Sequence, residues 1–302
     1  MKKTALILEG GGFRGVWTSG VLDALMEENI EFPYGIGVSM GACNGASYVT
    51  KQIGRNKVVN IAFLDDSRYK SWRRWFLEGE LFGMDFIFRE IPEHIVPFDF
   101  EAFAQSPMEY EVVGTNCESG LAEYYPKNGR VSIMESLTAS VSLPLISNVK
   151  WIDGKPCLDG GIADPIPLQR ALDQGNDRVV VVLTQTRDYE KKQISMKRLL
   201  KWKYRKYPKL VDLLLTRHER YNETRGRLFE LEKQGRAFII APQTPIAASR
   251  LERSADKLEL VFDQGYGDMK RQMADLKTFL YNESGPVRPG QSVEEVKMDQ
   301  SS

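Results

Sequence analysis

The stretch Gly37-Val38-Ser39-Met40-Gly41 decides the fold that this sequence predicts. It follows a short apolar segment, Tyr34-Gly35-Ile36, and small residues follow it at 42–47. Strand, G-x-S-x-G turn and helix is the order that exposes a serine hydroxyl at the end of a sheet strand. Glycines flank the serine because side chains there would crowd the turn and an approaching substrate. The stretch predicts an α/β fold with Ser39 as a candidate nucleophile, although a serine between glycines is more often an ordinary loop residue.

Strand and helix patterns alternate on both sides of this turn, which is typical of an α/β domain with a mostly parallel central sheet. Strands are predicted at 4–8, up to 39, and at 108–115, 122–125, 149–152, 156–158, 178–185 and 238–242. Helices are predicted at 15–28, 40–52, 131–141, 165–174 and 255–280, and mostly helical regions at 55–106 and 191–236. We expect one domain over 4–283, in which 191–283 is a helical extension with a last strand. The polar tail 284–302 is predicted to be disordered.

The composition of the 302 residues is that of a globular protein without net charge, since 41 Lys and Arg balance 41 Asp and Glu. Net charge therefore gives no indication of nucleic acid. Three cysteines are too few for a disulfide framework and favour a reducing compartment. The N-terminal apolar run is short and ends at Glu9, so it predicts a strand and not a signal peptide. No stretch reaches the ~18 apolar residues of a transmembrane helix, and we expect a cytoplasmic protein.

A glycine loop, Gly10-Gly11-Gly12-Phe13-Arg14-Gly15, lies between the first strand and the first helix. Consecutive N–H groups in such a loop, beside a helix start, form a concave anion site. The loop also fits the G-x-G-x-x-G fingerprint of dinucleotide-binding proteins, but that fingerprint needs an acidic residue at the end of the next strand. This chain has Ser39 there, and an oxyanion hole accounts for both motifs together. A nucleotide-binding oxidoreductase and a tight turn without a ligand are the weaker alternatives.

A serine hydroxyl needs a base that takes its proton. The chain has two histidines, His94 and His218. Ser39, Asp159 and His218 follow the chain order of α/β-hydrolase triads. However, a nucleophile this early leaves room for one strand before its own, whereas those hydrolases have several. Asp159 precedes two glycines after an apolar strand, and such an aspartate is most often an ordinary turn residue.

In combination, G-G-G-x-R-G, G-x-S-x-G and the later D-G-G resemble the patatin-like phospholipase family over about residues 4–275. The Ala/Ser-rich segment 139–144 and the region 238–269 are also similar to that family. The resemblance implies a three-layer α/β sandwich and a Ser-Asp dyad in place of a triad. In that dyad Ser39 is the nucleophile and Asp159 the proton acceptor, and the reaction passes through an acyl-enzyme.

The family pattern implies further roles, without a metal or a cofactor. The residues that match the oxyanion hole are Gly10, Gly11, Gly12 and Met40. The residues that match supporting positions in the motifs are Arg14, Gly15, Gly37, Gly41, Gly160 and Gly161. Arg14 would support the loop or meet an anionic head group. Family members often carry asparagine where this chain has Asp164.

The activity that the resemblance implies is cleavage of fatty acyl chains from phospholipids or lysophospholipids. The alternative is a catalytically idle lipid-binding or regulatory protein on the same fold. Two basic stretches with interleaved aromatic residues, 68–76 and 191–209, suit the surface of an anionic membrane. They equally suit solvated helices whose aromatics pack on the protein body. We expect a lipid substrate, with peripheral contact at the inner membrane face as one interpretation. No motif indicates nucleic acid or a particular protein partner.

Overall fold

A computed structural model describes residues 3–281 of the chain. Its strands are β1 (Thr4–Leu8), β2 (Tyr34–Val38), β3 (Glu109–Asn116), β4 (Ala122–Pro126), β5 (Lys150–Ile152), β6 (Lys155–Asp159), β7 (Arg178–Val182) and β8 (Ala237–Ile240). Its α-helices are α1 (Gly15–Glu27), α2 (Met40–Val49), α3 (Arg55–Ile61), α4 (Trp72–Glu78), α5 (Phe100–Gln105), α6 (Ile133–Ser140), α7 (Leu168–Asp173), α8 (Lys197–Lys203), α9 (Pro208–Lys233) and α10 (Ala255–Tyr281). The region Phe86–Ile95 is π-helical, and short 3-10 turns lie at Gly12–Arg14 and Gly160–Ile162. The tail predicted at 284–302 lies outside the described residues.

Within residues 3–281 the strands form one eight-stranded sheet in the order β5-β6-β3-β2-β1-β7-β8, with β4 also paired to β3. β1, β2, β3, β7 and β8 run parallel to one another, and β4 and β6 run antiparallel to β3. The last strand, β8, joins this same sheet beside β7. The predicted α/β architecture with a mostly parallel central sheet is therefore confirmed.

Helices cover both faces of the sheet because successive strand residues point to opposite sides. In β1, Leu6 and Leu8 belong to the core beneath α1, α2 and α10, whereas Ala5 and Ile7 belong to the core beneath α7 and α9. The valines of β7 divide between the two cores in the same way. This two-sided burial is what the continuous apolar run of β7 predicted.

The C-terminal helix α10 lies directly against α1. A Cβ on Gly20 would come 2.1 Å from the carbonyl oxygen of Phe262, and one on Gly265 would come 2.0 Å from that of Trp17. The indole Nε1 of Trp17 donates to Asp268 at 2.9 Å. Glycine at both crossing positions thus lets the two backbones approach closely.

Two predicted helical regions are shorter in the structure. α7 begins at Leu168 and not at the predicted Pro165. The reason is Pro167, because a proline disfavours the helical conformation in the residue that precedes it. In the basic region predicted as helical from 191, the first helix begins at Lys197. None of the helices in the described part of the chain is long and apolar enough to cross a membrane.

Candidate active site

Ser39 occupies the sharp turn between β2 and α2. Its backbone has φ 55° and ψ −129°, a region that non-glycine residues rarely adopt and that stores strain. The turn is tight enough to require the flanking glycines. A Cβ on Gly37 would come 2.5 Å from Cα of Ala42, and one on Gly41 would come 2.6 Å from the carbonyl oxygen of Glu9. The strand, turn and helix predicted from the sequence are therefore present.

Asp159 is brought to Ser39 by the register of the sheet. Along β3, Val38 of β2 is opposite Val113, and Asp159 of β6 is opposite the next residue, Gly114. β2 runs parallel to β3 and β6 runs antiparallel to it, and β4 occupies the other edge of β3. The carboxyl ends of β2 and β6 thus meet head to head, which places the two side chains together.

The environment of Asp159 makes its carboxylate more basic than an exposed one. Burial raises the pKa of this carboxyl group, and the Ser39 hydroxyl, the cation of Arg217 and the Gly161 N–H act in the opposite direction. One oxygen, Oδ1, accepts from the Gly161 N–H at 2.8 Å. The other oxygen, Oδ2, forms no hydrogen bond within residues 3–281, although the Ser39 hydroxyl is close enough to lower the pKa of the carboxyl group. A buried carboxylate with one free oxygen beside a hydroxyl can accept its proton.

The glycine loop packs on the serine turn. A Cβ on Gly10 would come 2.9 Å from Cβ of Ser39, and one on Gly11 would come 2.8 Å from Oγ1 of Thr184. Gly12 has φ +57°, and a Cβ there would come 2.7 Å from the carbonyl oxygen of Arg250. This packing places the loop directly beside Ser39, as an oxyanion hole requires, and favours the oxyanion interpretation over the dinucleotide one.

The start of α2 also faces the nucleophile, because Met40 is its first residue and Ser39 its N-cap. No side chain among residues 3–281 caps this end, so the first N–H groups of the helix are left for another acceptor. Gly15 allows α1 to approach here, since a Cβ on it would come 2.5 Å from Cγ of Met40. A substrate oxygen that becomes negative beside Ser39 would meet these dipoles from α2 and from the glycine loop.

Two cavities meet at the nucleophile. The first, of about 100 Å³, has a largely apolar lining that includes Phe13, Met40, Cys43, Val59, Phe82, Ile87 and Leu137. The second, of about 430 Å³, is bounded by the glycine loop, Asp159 and residues from beyond 188. Ser39, Gly12 and Arg250 line both cavities. The serine hydroxyl is thus accessible from an apolar compartment and from a more polar one.

Arg14, the fifth residue of the glycine loop, lines neither of the two cavities. Both of its terminal nitrogens approach the side-chain oxygen of Gln185 at 3.2 Å when that amide is oriented to accept. Burial and the neighbouring Arg250 lower the pKa of its guanidinium. Of the two roles that the sequence left open, this position fits support of the loop.

The structure does not assemble a histidine triad. His218 lines the larger cavity, but within residues 3–281 its Nδ1 has no hydrogen-bond partner, and its Nε2 lies 3.7 Å from Glu219. His94 lies in the π-helical segment with an exposed side chain beside Glu93. Asp159, in contrast, lies beside the Ser39 hydroxyl.

Sequence reasoning missed the residues that hold the two backbones in place. The Ser39 N–H donates to Oγ of Ser140 at 2.8 Å, and the Asp159 N–H donates to the carbonyl oxygen of Ser142 at 2.8 Å. Both acceptors lie in the Ala/Ser-rich segment noted in the sequence, where no local pattern indicates a role. Asp164 accepts from the Tyr124 hydroxyl at 2.8 Å and so joins the loop after β6 to β4.

Several known proteins are similar to this chain. Residues 207–281 match a family described as a domain of unknown function, DUF6363. YjjU of Escherichia coli strain K12 is 28% identical over 197 residues, which cover 60% of this chain and 52% of YjjU. The NTE family protein Mb1092c of Mycobacterium bovis is 24% identical over 176 residues, 55% of this chain and 44% of that protein. The chain therefore spans about half the length of these relatives.

Among solved structures, VipD from Legionella pneumophila resembles the chain with a TM-score of 0.46 and 12% identity, over 91% of this chain and 67% of VipD. The family described as patatin-like phospholipase matches residues 6–172, which contain the glycine loop, the serine turn and Asp159. Because this match covers more than half of the 302 residues, the chain belongs to the patatin-like phospholipase family.

Proposed function

We propose that the protein is a serine acyl-ester hydrolase that removes fatty acyl chains from phospholipids or lysophospholipids through a Ser39–Asp159 dyad. The observation that carries the proposal is the position of Ser39, which lies beside a buried carboxylate at the junction of an apolar cavity and a larger cavity that basic residues line. A lipid ester has this same division, with an acyl chain on one side of the carbonyl and a polar alcohol on the other.

In the first half of the reaction, Oγ of Ser39 attacks the ester carbonyl while Oδ2 of Asp159 takes the hydroxyl proton. The carbonyl oxygen becomes negative and accepts hydrogen bonds from N–H groups of the glycine loop and of Met40. When the intermediate collapses, the C–O bond to the alcohol breaks and the alcohol leaves with the proton held by Asp159. The acyl chain remains bonded to Ser39.

In the second half, water attacks the acyl carbon and Asp159 takes a proton from it. The bond to Ser39 then breaks, the proton returns to Oγ, and the fatty acid leaves. An exposed aspartate, with a pKa of about 3.9, would be a weak base for both steps. The burial that raises the pKa of Asp159 improves it.

We further propose that the protein works from the cytoplasm on the surface of an anionic membrane. The stretches 68–76 and 191–209 each divide between core and solvent: Tyr69 and Tyr204 are buried, whereas Phe76 and Trp202 are 83% and 65% exposed. Both helices are attached to one loop, since Nε1 of Trp75 donates to the Leu145 carbonyl at 3.0 Å and the Leu145 N–H donates to the Tyr204 hydroxyl at 2.9 Å. That loop lines the larger cavity, so exposed aromatics and basic residues border the route to Ser39.

The test of the hydrolase is turnover of a chromogenic short-chain ester together with labelling by a fluorophosphonate probe. We expect Ser39→Ala to lose both, and Asp159→Asn to lose at least about 10³-fold in kcat. His218→Ala should keep activity, because within residues 3–281 no hydrogen bond joins its ring to Ser39 or Asp159. An unlabelled wild-type serine would instead favour the idle lipid-binding protein. Activity that survives in Asp159→Asn and is lost in His218→Ala would overturn the dyad.

A further inference from the structure

Basic residues line the larger cavity together with the nucleophile. Lys191, Arg217 and Arg250 line the same space as Ser39, Asp159 and the glycine loop. Lys192 and His218 also line this space. Among the described lining residues, Asp159 is the one carboxylate. The cavity therefore carries an excess of positive charge within reach of the reacting serine.

These cations lie near acidic groups but form no ion pair with them in the described part of the chain. Within residues 3–281, no carboxylate lies within 4.0 Å of Lys191, Arg217 or Arg250, although other lysines and arginines of the chain form ion pairs. Asp159 raises the pKa of Arg217, but one of its oxygens already accepts from the Gly161 N–H. Glu9 raises the pKa of Lys191 and of Arg217, but its oxygens already accept from the Thr184 N–H and the Tyr221 hydroxyl. The charge of the cluster is thus left for something that enters the cavity.

The contacts that the cations do make orient them without neutralising them. Nε of Arg217 donates to the carbonyl oxygen of Gly161, two residues after the candidate base. The Lys191 ammonium lies 4.3 Å from the centre of the Tyr221 ring. Burial lowers the pKa of both groups, and Arg250 lowers each further. Like charges that are partly removed from water repel one another, and an anion among them would relieve this cost.

We propose that Lys191, Arg217 and Arg250 form the binding site for the phosphate of an anionic phospholipid or lysophospholipid. The inference rests on the proposed hydrolase and names its substrate class. With the ester carbonyl at Ser39 and the acyl chain in the apolar cavity, the glycerol and its phosphate extend into the basic one. Arginine and lysine side chains bind phosphate oxygens with charge-assisted hydrogen bonds, which are stronger than neutral ones.

The site also assigns a role to the C-terminal part of the chain. Arg217 and Arg250 both lie within residues 207–281, which match a domain of unknown function, and Lys191 precedes it. The patatin-like match ends at residue 172. The matched catalytic region would supply the chemistry, and the C-terminal region would recognise the polar end of the substrate.

The kinetic test compares a lysophosphatidylglycerol with a monoacylglycerol of the same short acyl chain, both kept below micelle formation. In Lys191→Gln and in Arg250→Gln, the ratio of kcat/KM for the phosphate ester to kcat/KM for the neutral ester should fall about tenfold, through a higher KM for the phosphate ester. Lys206→Gln, at an exposed lysine that lines neither cavity, is the matched control. If the ratio of the two substrates is unchanged in both variants, the phosphate site is wrong.

A binding measurement separates this proposal from the hydrolase itself. Calorimetric titration of the Ser39→Ala protein with lysophosphatidylglycerol should show binding that weakens about tenfold when Lys191→Gln is added. Inorganic phosphate is titrated in parallel and should bind far more weakly. Equally tight binding of inorganic phosphate would overturn the head-group assignment in favour of a free anion. If wild-type protein hydrolyses neither ester, the hydrolase proposal fails, and the titration alone decides the phosphate site.

Discussion

The hydroxyl of Ser140 accepts a hydrogen bond from the backbone N–H of Ser39 at 2.8 Å, although the two residues are 101 positions apart. Ser140 is fully buried at the end of α6. Two residues later, the carbonyl oxygen of Ser142 holds the Asp159 N–H. The end of α6 therefore holds the backbones of both members of the proposed dyad. The sheet register alone would hold each of them only through the end of its own strand.

Ser140→Ala should lower kcat while KM changes little, because the lost hydrogen bond positions the nucleophile and does not contact substrate. A bond worth about 0.5–1.5 kcal/mol corresponds to a roughly three- to tenfold decrease. Steady-state kinetics on a soluble ester measures it. Ser142→Ala is the control, because Ser142 holds Asp159 through its backbone carbonyl oxygen, which the substitution keeps. Equal losses in both variants would indicate general disruption of α6.

Strain at Ser39 should make the glycine variant more stable than the alanine variant, which is the reverse of the usual order. At a residue with φ 55°, glycine is less strained than alanine. We expect Ser39→Gly to be more stable than Ser39→Ala by about 1 kcal/mol or more in urea unfolding. At Thr138, inside α6, the same pair should show the ordinary order, with alanine more stable by about 1 kcal/mol. The ordinary order at both positions would argue against strain at the turn.

The raised pKa of Asp159 predicts opposite effects of pH on activity and stability. The base must be ionised, so kcat/KM should fall as the pH decreases through a value above the usual range of aspartate. The folded protein holds the proton of Asp159 more tightly than the unfolded chain does. The contribution of Asp159 to the free energy of unfolding therefore decreases as the pH rises from the ordinary pKa of aspartate to the raised pKa. Asp159→Asn should therefore melt higher than wild type at neutral pH. Loss of that difference in acid, measured by calorimetry, is the expected check.

Lys191 should make recognition of the phosphate depend on pH. Burial, with Arg217, Arg250 and Arg14, lowers the pKa of its ammonium to about 7, and Glu9 acts against them. The positive charge is lost as pH rises through that value, so kcat/KM for lysophosphatidylglycerol should decrease there. The phosphodiester itself does not titrate in this range. This decrease in kcat/KM should be absent in Lys191→Gln and with the neutral monoacylglycerol. If the decrease persists in both, another group causes the pH dependence.

Membrane contact should depend on the exposed aromatics beside the larger cavity. Phe76→Ser and Trp202→Ser should each weaken binding to vesicles of anionic lipid about tenfold or more, since burial of a large apolar side chain contributes about 1.5–3 kcal/mol. Vesicle sedimentation measures this. Leu260→Ser on α10, where the leucine is 70% exposed, is the control and should bind normally. Activity on a soluble ester should be unchanged in all three, and unaltered vesicle binding would exclude this surface.

Most of the fold could be predicted because its signals are local. The apolar run of β7, the short apolar run of β1 and the glycines around Ser39 each depend on neighbouring residues, and the structure contains the corresponding elements. Errors occurred at ends such as the start of α7, where a proline controls one backbone angle. The two basic stretches were ambiguous because periodicity cannot tell whether Tyr204 or Trp202 faces the core. Contacts with distant segments decide that.

By itself, the sequence determined that a serine would lie on a strained turn after a parallel strand, because glycine spacing encodes that geometry within a few residues. It also carried the resemblance that singled out Asp159. Only the tertiary structure decided that β6 ends where β2 ends, that burial makes this aspartate a better base, and that Lys191, Arg217 and Arg250 converge on one cavity. These properties depend on strand order, burial and the meeting of segments far apart in the chain, and no local pattern encodes them.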